Sequence, residues 1–181
     1  MSSRAVFLDR DGVLNRESAE FIKTVDEIDI LPGVPAAIAK LNAAGYRTVV
    51  ITNQSGIGRG LFSEETLTEM HRKLESAVQE GGGVLTAIYH CPHLPGDGCS
   101  CRKPEPGMIL RGAREYEIDL NSSYFVGDRP EDIRCGNTAG CRTILVLTGN
   151  TRSYDADRFQ VLPDHVCADL TAAVDCIIGL E

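Results

Sequence analysis

The sequence predicts an α/β fold in which helices cover both faces of a parallel sheet, a three-layer Rossmann-like arrangement. Two observations predict it. Short apolar runs alternate with helical patterns along the chain, and polar residues suited to chemistry follow the ends of several apolar runs. Alternation of strands and helices favours a parallel sheet with right-handed crossovers. In open sheets of this kind ligands bind outside the carboxyl ends of the strands, so a site is expected at that edge.

The runs predicted as strands are short and apolar, as expected for strands buried on both faces. Most are rich in β-branched residues, which pack well on a pleated sheet. Five such runs are present: Ala5–Leu8, Thr48–Thr52, Leu85–His90, Ser123–Val126 and Thr143–Leu147.

Helices are predicted between the strands from the 3.6-residue period and from capping residues. Ser63 and Asp169 are predicted N-caps, because a short side-chain oxygen accepts a hydrogen bond from a free N–H group of the first turn. Gly45 is the predicted end of the first helix. The helices are expected at 35–44, 63–80, 106–116, shortly after Asp128, and at 169–178. Residues 13–31 are too long for a simple turn and are expected to form a flap over the site.

Length and composition indicate one globular domain, residues 1–181, which is long enough for a full core. No run of 18 apolar residues is present, and the first residues do not fit a signal peptide, so a cytoplasmic protein without a membrane span is expected. The net charge of −8 argues against nucleic acid as a partner. A small anionic substrate is still possible, because the local field matters more than net charge. A monomer is expected.

Two carboxylates, Asp9 and Asp11, follow the first predicted strand directly and are followed by Gly12. Burying two acids at a strand end is costly unless a cation or a proton offsets their repulsion. The pair therefore suggests a divalent metal and chemistry at this strand end. The alternative is an ordinary turn, because Asp and Gly are common turn formers.

Three further polar motifs follow strand ends. The turn 52–55 (Thr-Asn-Gln-Ser) offers a hydroxyl and exposed backbone amides that can hold a phosphate oxygen. The alternative is an ordinary loop that caps the next helix. Arg102 and Lys103 are two cations in a loop that the following proline stiffens. The alternative is a solvated basic pair, which is the usual fate of such residues. Asp128 can complete a hard-oxygen metal site with Asp9, or it caps the next helix.

A cysteine-rich loop is the second strong signal. Cys91, His93, Cys99 and Cys101 lie within eleven residues and can close a tetrahedral zinc site. Free buried cysteines or a disulfide are the alternatives, but seven cysteines without a secretion signal favour metal ligands and reduced thiols. We predict a structural zinc, which would fix the loop that presents both cations.

The remaining cysteines and two histidines are predicted to be structural. The cysteines lie in apolar surroundings and are expected to be small core residues. The histidines have no metal-like partner in the sequence. These residues are Cys135, Cys141, Cys167, Cys176, His71 and His165.

Taken in order, the motifs resemble those of the haloacid dehalogenase-like phosphohydrolases, from Val6 to about Leu147. The resemblance implies that fold without a separate cap domain, and a magnesium-dependent phosphatase activity through an aspartyl-phosphate. The implied roles are Asp9 as nucleophile, Asp11 as general acid/base, Thr52 and Lys103 as holders of the phosphoryl group, and Asp9, Asp128 and the backbone carbonyl of Asp11 as magnesium ligands.

Three longer segments narrow the resemblance to the D-glycero-D-manno-heptose-1,7-bisphosphate 7-phosphatase family. They are residues 9–15, 52–62 and the cysteine loop 91–108. This resemblance implies magnesium and zinc, a sugar-phosphate substrate that loses its C7 phosphate, and a place in ADP-heptose and lipopolysaccharide core biosynthesis. The implied substrate-binding residues are Glu17, Asn53, Gln54, Ser55, Arg102 and Arg129.

Other functions remain as alternatives. A histidinol-phosphate phosphatase shares the zinc loop, and segments 91–95 and 127–133 are similar to it, whereas segment 52–62 favours the heptose family. A DNA 3′-phosphatase and a non-catalytic binding protein rank lower. A DNA 3′-phosphatase should carry a basic groove, whereas this chain is acidic. A binding protein with a decayed site should have lost Asp9, Asp11, Lys103 or Asp128, and all four are present. Asp132 is given no role.

Overall fold

A computed structural model of the protein describes residues 3–180 and confirms the predicted fold class. Six parallel strands form one sheet in the order β3-β2-β1-β4-β5-β6. The strands are β1 (Arg4–Leu8), β2 (Tyr46–Asn53), β3 (Ala87–Cys91), β4 (Tyr124–Gly127), β5 (Arg142–Val146) and β6 (His165–Cys167). The helices are α1 (Val34–Ala43), α2 (Glu64–Glu80), α3 (Gly107–Glu115), α4 (Pro130–Ala139) and α5 (Leu170–Gly179).

Alternate residues of β1 divide the core into two layers. Val6 and Leu8 pack on the side of α1, α5 and part of α2. Ala5 and Phe7 pack on the opposite side, against α3 and α4. All four are fully buried, as expected for a central parallel strand covered on both faces. Strand β1 is therefore anchored from both layers just before Asp9.

Most predicted elements are confirmed within two residues. The Ser63 hydroxyl accepts a hydrogen bond from the N–H of Thr66 at 3.2 Å, and Asp169 accepts one from Ala172 at 2.8 Å, so both predicted N-caps are present. Strand β3 begins at Ala87 rather than at Leu85. Strand β6 was not predicted, because three residues at a sheet edge carry too little pattern to be recognised.

Residues 13–31 contain little regular structure beyond a short 3-10 turn at Val25–Glu27. Ile22 and Ile28 are buried against Leu67 and Met70 of α2. The segment is thus packed onto α2, and its residues 17–22 reach the cavity described below. No helix of the described residues is long and apolar enough to cross a membrane.

Candidate active site

A cavity of about 550 Å³ opens at the carboxyl ends of the central strands. Strand β1 pairs with β2 on one side and with β4 on the other, so the residues that follow these strands meet at one edge. All ten residues predicted to be catalytic or substrate-binding line this cavity: Asp9, Asp11, Glu17, Thr52, Asn53, Gln54, Ser55, Arg102, Lys103 and Arg129.

Lys103 lies at the buried floor of the cavity between two carboxylates. Its Nζ is 2.8 Å from Asp9 Oδ1 and 2.7 Å from Asp132 Oδ1. Burial alone would lower the pKa of Lys103, but Asp132 and Asp9 hold that pKa above its usual value. The lysine is therefore a fixed positive charge beside Asp9.

The Asn53 side chain positions Lys103. Asn53 Oδ1 accepts a hydrogen bond from the Lys103 N–H at 3.0 Å, and its Nδ2 donates one to the Lys103 carbonyl at 3.1 Å. Both ends of the amide are therefore used on the backbone of the lysine. This contact joins the end of β2 to the cysteine loop, so the Asn53 side chain orients the loop that carries the cation.

Asp9, Asp128 and Asp132 form a buried acidic cluster in which one oxygen of each lies within 4.8 Å of the others. Burial raises the pKa of Asp9 well above its usual value even though Lys103 opposes this. Burial, with the charge of Asp132, raises the pKa of Asp128 to about 7. Oxygen ligands of this charge suit a hard divalent cation, which would remove the repulsion.

Asp128 has one oxygen held and one oxygen unpaired. Its Oδ2 accepts a 2.6 Å hydrogen bond from the N–H of Asn150, whereas its buried Oδ1 has no hydrogen-bond partner among the described residues. A Cβ at Gly149 would lie 1.9 Å from Asp128 Oδ2, and one at Gly12 would lie 2.6 Å from it. Only glycine permits this close approach of both loops to the carboxylate. The residues present therefore fit a magnesium ion.

The side chain of Asp11 is separate from that acidic cluster. It accepts hydrogen bonds from Arg10, from Asn15 at 2.9 Å and from Gln54 at 2.8 Å. Burial would raise the pKa of Asp11, but Arg10 and these donors hold it below its usual value. Asp11 is therefore ionised in the free protein and borders the cavity as a hydrogen-bond acceptor.

The turn after β2 presents a buried hydroxyl and amide. Gln54 Nε2 donates to both Thr52 Oγ1, at 2.9 Å, and Asp11, so the turn is tied to the first motif. The Gln54 N–H donates to the carbonyl of Cys91 at 2.7 Å. Thr52 and Ser55 are buried and border the cavity, an arrangement suited to holding an anion.

Three arginines lie around the more exposed part of the cavity. Arg129 pairs with Glu17 at 2.5 Å, which links α4 to segment 13–31. Arg102 donates to the carbonyl of His93 at 3.1 Å. Arg59 lies over the ring of Phe21 at 5.7 Å. Arg59 and Arg102 have no ion-pair partner among residues 3–180, so both guanidinium groups are available to an anionic ligand.

Cys91, His93, Cys99 and Cys101 come together as predicted. Cys91 Sγ is 3.7 Å from Cys99 Sγ and 3.1 Å from Cys101 Sγ, and His93 Nδ1 is 3.4 and 3.3 Å from the sulfurs of Cys91 and Cys101. Edges of a tetrahedral site with zinc–sulfur bonds of 2.3 Å measure about 3.8 Å. The cysteines are free thiols. The four atoms fit one zinc ion.

Comparison with known proteins identifies the family. Residues 100–173 match the HAD-hydrolase-like family. D-glycero-beta-D-manno-heptose-1,7-bisphosphate 7-phosphatase of Bordetella bronchiseptica strain RB50 is 45% identical over 175 residues, which cover 97% of this chain and 98% of that protein. The same-named protein of Pseudomonas aeruginosa strain PAO1 is 45% identical over 82% of this chain and 84% of that protein. The chain belongs to the D-glycero-beta-D-manno-heptose-1,7-bisphosphate 7-phosphatase family.

A solved structure supports the assignment to the heptose-bisphosphate phosphatase family. The crystal structure of D,D-heptose 1,7-bisphosphate phosphatase from B. bronchiseptica, complexed with magnesium and phosphate, matches with a TM-score of 0.91 and 44% identity. The match covers 98% of this chain and 99% of that chain. Magnesium is therefore bound by a structural relative of this family.

Two buried residues at the site, Asp132 and Arg10, received no role from the sequence. Asp132 accepts hydrogen bonds from the N–H groups of Asp128 and Arg129 and pairs with Lys103. Its position four residues after Asp128, in the first turn of α4, was a usable signal. Arg10 pairs with Asp11 from inside the protein, and nothing in the sequence shows that its charge points inward.

Proposed function

We propose that this chain is a magnesium-dependent phosphatase that removes the C7 phosphate of D-glycero-β-D-manno-heptose 1,7-bisphosphate through an aspartyl-phosphate. The observation that carries the proposal is the buried Asp9 carboxylate, held 2.8 Å from Lys103 at the carboxyl end of β1, in a chain 45% identical to named heptose-bisphosphate phosphatases. The activity belongs to lipopolysaccharide core biosynthesis, as the family name implies.

The first displacement uses Asp9 as nucleophile. An Asp9 oxygen bonds to the phosphorus, the bond from phosphorus to the sugar oxygen breaks, and Asp11 donates a proton to the leaving oxygen. Lys103 and the Thr52 hydroxyl hold the phosphoryl oxygens, and the cation offsets their charge. Asp11 is ionised in the free protein, so the arriving phosphate anion must raise its pKa before it acts as an acid.

The second displacement regenerates Asp9. A water molecule attacks the phosphorus of the aspartyl-phosphate, Asp11 takes a proton from that water, and the bond from phosphorus to Asp9 breaks. Splitting hydrolysis in this way replaces one difficult step by two easier ones. Asp11 gave up its proton to the leaving oxygen in the first displacement, so it is ionised and can accept this one.

The magnesium site uses Asp9, Asp128 and the backbone carbonyl of Asp11. When bound, magnesium neutralises charge on the phosphoryl group. The unpaired Oδ1 of Asp128 supports this assignment. Asp132 supports the site from behind, because its two oxygens are occupied by Lys103 and by backbone N–H groups.

The zinc site uses Cys91, His93, Cys99 and Cys101 and is structural. It precedes Arg102 and Lys103 directly in sequence, so the metal fixes the loop that carries both cations. The phosphatase works as one domain, residues 1–181, as a cytoplasmic monomer without a nucleic-acid or membrane partner.

Substrate choice depends on the cations around the cavity. Arg102 and Arg129, with Glu17 and the turn 53–55, contact the sugar and its second phosphate. Such remote contacts orient the substrate for reaction. A histidinol-phosphate phosphatase is the second candidate, supported by the cysteine loop and by the similarity of segment 127–133, and its substrate offers no second phosphate to these arginines.

A phosphate-release screen with magnesium tests the proposal. The substrates are both anomers of heptose 1,7-bisphosphate, histidinol phosphate and fructose 1,6-bisphosphate, and the Asp9→Asn protein controls for contaminating phosphatases. We expect the β-anomer to be the best substrate. Phosphorus NMR should show loss of the C7 phosphate and retention of the C1 phosphate. A preference for histidinol phosphate, or loss of the C1 phosphate, would overturn the proposal.

A further inference from the structure

Arg10 is a fully buried arginine whose guanidinium group faces the back of the site. Its side chain is 1% exposed, and it heads the largest buried side chains of the described residues. Replacing a buried ion pair by apolar side chains is often neutral or even stabilising. Stability alone therefore gives little reason to bury this charge, and the contacts of Arg10 suggest another reason.

The guanidinium group binds the Asp11 carboxylate through both of its oxygens. Arg10 Nε is 3.1 Å from Asp11 Oδ1, and Arg10 Nη2 is 2.8 Å from Oδ1 and 2.9 Å from Oδ2. The two planar groups can meet in this way in one relative orientation only. Rotation of the Asp11 carboxylate about its Cβ–Cγ bond would break these contacts.

We propose that Arg10 is the positioning residue for Asp11: its buried fork fixes the plane of the carboxylate that exchanges the proton with substrate and water. This inference rests on the acid/base role of Asp11 in the proposed function. Arg10 does not touch the substrate, because it lies behind Asp11 and does not border the cavity.

Two further contacts distinguish the two oxygens of the Asp11 carboxylate. Asn15 Nδ2 donates to Asp11 Oδ1, so that oxygen accepts from three N–H groups. Among the residues that the structure describes, Asp11 Oδ2 accepts from Arg10 Nη2 and Gln54 Nε2 only. Oδ2 is thus the less saturated oxygen, and it is linked through Gln54 to the Thr52 hydroxyl that borders the phosphoryl position.

The backbone of Arg10 is fixed as firmly as its side chain. Its N–H donates to Asp9 Oδ1 at 2.7 Å, and its carbonyl accepts from the N–H groups of Val13, Leu14 and Asn15. Within residues 3–180 its only ion-pair partner is Asp11. His71 of α2 lies behind it, and burial together with the Arg10 charge lowers the pKa of His71 to about 3. The arginine therefore faces a neutral histidine on one side and Asp11 on the other.

A leaving-group comparison tests positioning against a merely structural role. Phenyl phosphate has a basic leaving group that needs a proton, whereas p-nitrophenyl phosphate needs none. In single-turnover experiments we expect Arg10→Met to slow phenyl phosphate cleavage about 10-fold or more, part of the 10²–10⁴-fold that general acid–base catalysis supplies. Cleavage of p-nitrophenyl phosphate should slow several-fold less. In separate steady-state assays, the KM for each aryl phosphate should change by less than about twofold.

Two further variants make the test decisive. In the Asp11→Asn background, Arg10→Met should cause no further loss, because Arg10 acts only through Asp11. Arg10→Lys keeps the charge without the planar fork and should recover only part of the rate. Met70→Ala is the matched control: it removes a fully buried neighbour of His71 and should lower stability without separating the two substrates.

The outcomes separate this inference from the proposed function. Losses that add in the double variant, equal losses for both aryl phosphates, or wild-type rates in Arg10→Lys would overturn the role of Arg10. If Arg10→Met does not fold, Arg10→Lys and its Asp11→Asn double variant give the decision. Wild-type protein that cleaves aryl phosphates but not heptose 1,7-bisphosphate would contradict the substrate assignment and leave the Arg10 test valid.

Discussion

At the residue scale, Asp9 is a buried side chain whose proposed role requires the ionised carboxylate. It is 6% exposed, and burial works against its ionised form, whereas a nucleophile must be ionised. Lys103 lies 2.8 Å away and favours the carboxylate. A metal ion at the neighbouring Asp128 would add to that effect. Together, Lys103 and such an ion would keep Asp9 ionised, as its proposed role of nucleophile requires.

We expect Asp9→Asn to abolish turnover and to preserve the fold, because asparagine has nearly the same shape but cannot form an acyl-phosphate. Lys103 keeps its contact with Asp132. Without magnesium the variant should also unfold at a higher temperature, because one buried charge is removed. Phosphate release and thermal unfolding measure both effects. Asp175→Asn, in an exposed ion pair with Lys40, is the control and should keep wild-type activity.

A second prediction concerns the arginines around the cavity. Arg102→Ala should lower kcat/KM for heptose 1,7-bisphosphate by on the order of 2 kcal/mol, about 30-fold, as expected for a lost charge-assisted contact. A small monophosphate should be affected less. The control is Arg111→Ala, which removes a surface ion pair with Glu115 and should cost nothing in kcat/KM. Equal losses toward both substrates would show that Arg102 does not read the second phosphate.

At the element scale, the site depends on loops that are tied to one another. The Asn53 side chain joins the end of β2 to the backbone of Lys103. The Gln54 N–H joins the same turn to the carbonyl of Cys91. The cysteine loop is therefore held at its start, at its end and through its proposed zinc. A loop fixed at these points presents Lys103 to Asp9 in one position.

We expect one zinc ion per chain, and we expect Cys99→Ser to lower zinc content and phosphatase activity together. The reason is that the loop leads into Arg102 and Lys103, whose positions depend on its shape. Elemental analysis of protein purified without chelator measures the zinc. Cys176→Ser, a partly exposed cysteine outside the cluster, is the matched control. Zinc-free wild-type protein with full activity would refute the prediction.

At the scale of the whole molecule, α2 supports the site from behind. Its residues Leu67 and Met70 pack against Ile22 and Ile28 of segment 13–31, whose earlier part borders the cavity. His71, on the same helix, has a buried Nε2 without a hydrogen-bond partner in the described part of the chain. A histidine in this position is kept neutral by burial and by Arg10, which makes the fold sensitive to acid.

The acid sensitivity has a definite sign. The pKa of His71 is about 3 in the folded protein and 6.5 in the unfolded chain. Between these two pH values the unfolded chain binds one more proton than the folded protein does. The contribution of His71 to the free energy of unfolding is therefore complete above pH 6.5 and is lost as the pH falls toward 3. The slope for one proton is at most about 1.4 kcal/mol per pH unit.

His71→Leu should therefore make the unfolding free energy less dependent on pH. Urea unfolding of both proteins at pH 7.5 and at pH 5.0 measures this. The difference at pH 7.5 reports packing alone, and wild type should lose more stability than the variant on going to pH 5.0. Contributions from the acidic cluster are common to both proteins and cancel in the comparison. Parallel pH profiles would contradict the prediction.

The fold class, the order of the motifs and the edge of the sheet where they meet could all be predicted from the amino-acid sequence. Those properties follow from local patterns, namely strand and helix periods and the polar residues after each strand. The cysteine loop could also be predicted, because its four candidate ligands lie within eleven residues. Edge strand β6 was missed because three residues carry too little periodicity.

The directions of the charged side chains, and the pairs that they form, could not be predicted from the sequence and follow from how the elements pack. Lys103 with Asp132 and Arg129 with Glu17 join residues far apart in sequence, and Arg10 turns inward to Asp11 although its neighbour Asp9 faces Lys103. Sequence pattern records polarity along the chain, but the cost of burying a charge depends on the partners that other elements bring to it.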